Sequence, residues 1–172
     1  MTFRSFFASS LLVLASLVPA QSGLAAVSAA AEYSKHFDAL GKFSVAVAQA
    51  MPPEQYAFRP HPESMTFGQL MAHIATTNYQ FCAGLKDSET PGLPSPAAKD
   101  AVVKFLTDSF EYCSGAITNL TNEQLDKVHN SPDGRLPGRE VLLAMYIHVA
   151  HHRGQAEIYL RDNGIKPPPY RI

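Results

Sequence analysis

Tryptophan is absent from this chain, cysteine occurs only twice, and basic residues never gather into a run. The missing tryptophan removes the commonest interface anchor and decides little else. The balance of 14 basic against 15 acidic side chains, with a pI near 6.6, leaves no electrostatic footprint for nucleic acid, so no such partner is expected. No Cys-x-x-Cys-His element is present for covalent attachment of haem. Nor does any stretch alternate apolar and polar residues convincingly enough to read as a strand. What remains is a chain of 172 residues, 46% hydrophobic and 17% charged, which suits one globular domain with a real core.

Residues 1–26 read as a secretory signal, so the domain is expected over 27–172. Arg4 gives a positive start, Phe6 to Val18 an apolar run, and small-residue cleavage sites follow at Val18-Pro19-Ala20 and Gly23-Leu24-Ala25. The run is short for a membrane span, so membrane contact is expected only through this segment, if it is retained. Export, to a periplasm or to the medium, changes the meaning of Cys82 and Cys113. In an oxidising compartment they either bridge two helices or remain two buried thiols, and spacing alone does not choose.

Four long stretches carry helical periodicity. Tyr33, Phe37, Leu40, Val47 and Met51 mark the first, over 29–51, ended by Pro52 and Pro53. Thr66 and Gln69 form a capping-box signature for the second, which runs to about Leu85. Residues 87–96 hold three prolines and a glycine and read as a crossover. Ser95 then serves as N-cap, with Pro96 at the first helical position, for a third helix of roughly seven turns. Thr121 and Gln124 suggest a short capped turn, and residues 130–138 a loop. A fourth long helix follows over about 139–163, stopped by Gly164 and the prolines beyond it. The expected fold is all-α: a four-helix bundle with one longer crossover. Glu54-Gln55 and Glu123-Gln124 each follow a long helix, a faint internal echo.

The chemistry lies in Ile147 to Gln155. Residues four apart share a helix face, so His148 and His152 point the same way, within about 40° of each other. Val141, Met145 and Tyr159 lie on that face, so both rings look into an apolar interior where an imidazole needs a partner. His73, in the second turn of the second helix, flanks that helix's stripe. Three neutral imidazoles on two helices close three corners of a tetrahedron and leave the fourth for water or substrate. The rival reading is three satisfied core histidines. A zinc-protease motif is excluded, because Val149 stands where H-E-x-x-H needs its glutamate. His36, His61 and His129 read as solvated side chains, and His151 as a surface or outer-sphere residue. Gln155 is placed to orient a ring or to pack on the surface. Gly154 reads as a point of close helix approach, Arg153 as pointing away from the ligands toward Glu157, and Tyr159 as core with a substrate contact second.

The segments Phe67-Gly68-Gln69-Leu70-Met71-Ala72-His73-Ile74, His148-Val149-Ala150-His151-His152-Arg153-Gly154-Gln155 and Tyr159 to Pro168 together resemble the DinB-like family, over nearly the whole mature chain. Phe58-Arg59-Pro60 fits the same pattern. The resemblance implies an up-down-down-up bundle holding a divalent ion, zinc, nickel or iron, at His73, His148 and His152. It also implies a metal-dependent hydrolase or transferase acting on an unknown small molecule, some relatives using a small cellular thiol. Phe67 stands where many relatives carry tryptophan. Export argues against thiol transfer, since such thiols are chiefly cytosolic. The contrasting expectation is a non-catalytic metal-binding or stress-response bundle, with association as a homodimer through its helices left open.

Overall fold

The computed structural model describes residues 28–170, so the signal segment expected over residues 1–26 lies outside the described residues. Four long helices form the body: α1 (Ala29–Ala50), α2 (Phe67–Leu85), α3 (Lys99–Thr118) and α5 (Gly138–Asp162). Between α3 and α5 come a short α4 (Asn122–Asp126) and a hairpin of β1 (Val128–Ser131) and β2 (Gly134–Pro137). None of the described helices is long and apolar enough to cross a membrane.

Local chemistry sets the boundaries. Ser28 Oγ accepts from the Ala31 N–H at the start of α1. At α2 the capping box closes both ways: Gln69 N–H donates to Thr66 Oγ1 at 3.2 Å, and Thr66 N–H to Gln69 Oε1 at 2.8 Å. Thr121 and Gln124 repeat the arrangement at α4. The helix expected from Ser95 starts instead at Lys99, after Ala98. Ala98, at φ −73° and ψ 143°, is still extended, so Pro96 lies in the crossover and no side chain caps the later start. The loop expected over 130–138 contains a strand pair, with Ser131 opposite Gly134 across Pro132-Asp133. Gly134 takes φ 104°, a value open to glycine at little cost.

Side-chain pairings fix the directions of the helices. Asn78 Nδ2 donates to Ser109 Oγ and Cys82 is bonded to Cys113, so four residues along α2 match four along α3 in the same sense. These two helices are parallel. Phe67 meets Tyr159 while Phe81 meets His148, so α5 runs antiparallel to α2. Ser34 meets Thr118 while Lys99 Nζ reaches the Gln49 carbonyl, so α3 runs antiparallel to α1. The order is up-down-down-up, with 86–98 carrying the chain back between the parallel pair. Phe37, Leu70, Ile74, Phe81, Leu106 and Leu142 fill the centre.

Cys82 and Cys113 form a disulfide, with Cα atoms 5.4 Å apart and a sequence separation of 31. This resolves the two readings of the cysteines. A cross-link closing a loop of that length stabilises by about 2–4 kcal/mol on the chain-entropy account.

Candidate metal centre

The antiparallel contact of α2 with α5 brings His73 against the His148 and His152 pair. One turn of helix separates the latter two, and ring centroids lie 4.9 Å apart for His73 with His148, 4.7 Å for His73 with His152 and 4.5 Å for His148 with His152. One nitrogen from each ring falls within 4.8 Å of the other two. Nε2 of His148 is 3.0 Å from Nε2 of His73. Tetrahedral coordination at bond lengths near 2.05 Å asks for nitrogen separations of about 3.3 Å. Small ring rotations would bridge the difference, and the donor set suits a borderline divalent ion.

Electrostatics agree with that donor set. Burial, then the neighbouring imidazoles, push His148 down to about 4. Burial first, and the like charge of His152 second, lower His73. His152 is lowered chiefly by burial, against an opposing hydrogen bond from Gln155. At neutral pH the three rings are uncharged and each offers a lone pair. Nδ1 of His148 is buried without a hydrogen-bond partner. Its neighbours include Phe81, edge-on at 6.2 Å between centroids. A neutral ring so placed gains from any ligand that can use its other nitrogen.

Gln155 proves more specific than a surface packing residue. Its Oε1 accepts from His152 Nδ1–H at 2.8 Å, and its Nε2 donates to His151 Nε2 at 3.1 Å. This leaves the His152 Nε2 lone pair for the cluster, the outer-sphere arrangement typical of metal-bound histidine. His151 is exposed; it meets Gln155 and lies edge-on to the His152 ring, 4.9 Å between centroids. Tyr159 donates its hydroxyl to the Met65 carbonyl at 3.0 Å and packs between Phe58 and Phe67, so its role here is packing.

Three expectations change. Gly154 is not a point of close approach, since nothing outside its own helix lies within 4 Å of where a Cβ would be. Arg153 does pair with Glu157, at 2.5 Å, yet it is buried, its guanidinium 4.4 Å over the Phe43 ring. His129 is the largest correction. It is buried at 1% exposure, its Nε2 is 2.8 Å from the Gln124 carbonyl, and its Nδ1 is 3.2 Å from both the Gly84 carbonyl and Asp87 Oδ1. Two of its three partners, Gly84 and Asp87, are more than forty residues away in sequence, so local pattern could not reveal them. A groove of about 1080 Å³ between α1 and α5, lined by Tyr33, Leu40, Phe43, Tyr146, Ile147 and Tyr170, lies away from the triad, none of whose histidines lines it.

Comparison with known proteins adds family and fold. A family model described as the DinB superfamily matches residues 36–156. An uncharacterized protein of Bacillus subtilis (strain 168), YjoA, is 26% identical over 129 residues, which cover 72% of this chain and 84% of that protein. The crystal structure of that DinB-like protein superposes with a TM-score of 0.70 at 22% identity, covering 81% of this chain and 96% of the other. A DinB-like protein from Bacillus cereus ATCC 10987 also gives 0.70, at 18% identity, over 81% and 95%.

Proposed function

This chain belongs to the DinB superfamily, and on that premise we propose that it is an exported protein binding one divalent ion, zinc, nickel or iron, through His73, His148 and His152. The observation carrying this reading is the convergence of three uncharged imidazole nitrogens within 4.8 Å, in a cluster to which no carboxylate or thiol contributes among the described residues. Imidazoles that satisfy one another leave at least one lone pair over. A cation removes that conflict, which a packed core of histidines would keep.

We further propose that the centre serves a hydrolase or transferase acting on a small molecule. When bound, such an ion supplies Lewis acidity at an open fourth corner. The chain's own residues supply orientation: Gln155 holds the His152 ring, and the α2–α5 contact holds His73 against His148. The Cys82–Cys113 disulfide supports export, since such bridges persist in oxidising compartments. A non-catalytic metal-binding bundle is favoured by one observation: no Asp or Glu of the described residues joins the cluster to act as a base.

The test is elemental analysis of the exported protein, purified without added metal or affinity histidines, beside a His148→Ala, His152→Ala double variant. About one ion per chain in the first and none in the second is expected; equal content in the two removes the proposal. Chelator-sensitive turnover of activated ester or amide substrates separates enzyme from binder. A fully loaded protein with no turnover selects the binder.

A further inference from the structure

Helix α5 has a second face that the bundle does not use. Leu143, Ile147 and Ile158 are 58%, 60% and 52% exposed, Ala150 is exposed between them, and Gly154 opens onto free space. Their spacing of four, three, four and four is the seam of a paired helix. At 100° per residue this seam lies on the side of α5 away from the triad. It is continuous with the groove between α1 and α5, which Ile147 and Ala150 also line.

The pattern along the seam reads the same way from both ends. About a two-fold axis between Ala150 and His151, antiparallel helices set Leu143 against Ile158 of the partner subunit and Ile147 against Gly154 of the partner subunit. The same register sets exposed Glu140 against Arg161 of the partner subunit, opposite charges at both ends of the contact. A symmetric interface requires such reciprocity, each residue meeting its counterpart twice. Large side chains fall on a glycine, and acid falls on base. A face built for an unrelated partner has no reason to be complementary to itself.

We propose that two copies of this chain associate through α5, antiparallel and in this register, with the seam and the adjoining groove covered by the second copy. The surface is distinct from the metal centre, so its failure would leave that reading untouched.

Sedimentation velocity of the full mature chain over a concentration series tests it. The wild type is expected to be dimeric. Ile147→Glu should weaken association at least a hundredfold, with helicity and metal content unchanged because that side chain is exposed. Glu140→Arg and Arg161→Glu should each weaken it several-fold, and the two together should restore it. A wild type that stays monomeric overturns the proposal and leaves the face to a different occupant. A dimer that ignores Ile147→Glu, or that the double charge reversal does not restore, overturns the register.

Discussion

Two histidine sites in this bundle, one buried and one half-buried, follow opposite rules. At His129 both ring nitrogens face protein oxygens, the Gln124 and Gly84 carbonyls and the Asp87 carboxylate. At the triad the rings face one another, and one nitrogen of His148 faces nothing. The first set of contacts ties the β1–β2 hairpin and α4 to the C-terminal end of α2, and each ring nitrogen in it has a protein oxygen opposite. The second is a group of like donors and acceptors that protein alone leaves unfinished. Burial therefore says little about the purpose of a histidine; the chemistry of what surrounds its nitrogens says more.

The sharpest way to break this contrast is to delete one ring from each site. His148→Ala should abolish metal retention, read as bound zinc or nickel after dialysis, and leave the metal-free fold intact. Its other ring nitrogen has no partner to lose. His129→Ala should do the reverse: unchanged metal content, and a loss of about 3 kcal/mol in urea unfolding, since a buried carbonyl loses its donor and a ring-sized cavity opens. Gly84 belongs to the same test. A Cβ there would sit 1.9 Å from the Asn130 carbonyl oxygen, so Gly84→Ala should cost about 1–3 kcal/mol by forcing the hairpin away. If His129→Ala emptied the metal site while leaving stability unchanged, the two histidine sites would have to exchange roles.

Much of this was written locally in the sequence. The start of α2 follows from Thr66 and Gln69, three residues apart, and the convergence of His148 with His152 follows from the helical period alone. His73 was the harder ligand. The wheel placed it on the flank of its stripe, and only the packing of α2 against α5 turned that flank toward the pair. His129 was illegible because two of its three partners, Gly84 and Asp87, lie across the fold. The hairpin was missed because two four-residue strands, half exposed, leave too short an alternation to separate from a loop. Asp87 is a further case. It adopts φ 51°, unusual outside glycine, and so places its carboxylate between Lys127 Nζ at 2.7 Å and His129.

A smaller effect sharpens the contrast at the level of orientation. His129 is held by backbone, and His152 by one side chain. Gln155→Ala removes the acceptor that fixes the His152 ring and should weaken metal binding about tenfold, the lower end of what outer-sphere losses cost. Gln155→Glu keeps an acceptor and should restore most of the affinity. Titration with a chromophoric zinc competitor reads both. Equal affinity in wild type and Gln155→Ala would show that helix packing alone orients the ring.

The smallest expected effect is the pH dependence of the metal-free protein. The three triad rings have folded-state values below the ordinary 6.5, reaching about 4 for His148, with burial the first cause in each. Between those limits the unfolded chain takes up protons that the folded chain refuses, so acid favours unfolding. Stability contributed by the uncharged rings is complete above pH 6.5, declines as the pH falls toward 4, and levels off below, where folded His148 also accepts a proton. Asp87 does not confound this window. The hydrogen bond from Lys127 chiefly holds its carboxyl below 3.8, so its contribution is lost only in stronger acid. The rings are half-buried, so the slope should be shallow. Urea midpoints measured across pH 4–7 should fall less steeply in a His73→Gln, His148→Gln, His152→Gln variant than in the wild type. Identical slopes would mean that the triad is not held uncharged by the fold, and its readiness for a cation would lose its electrostatic basis.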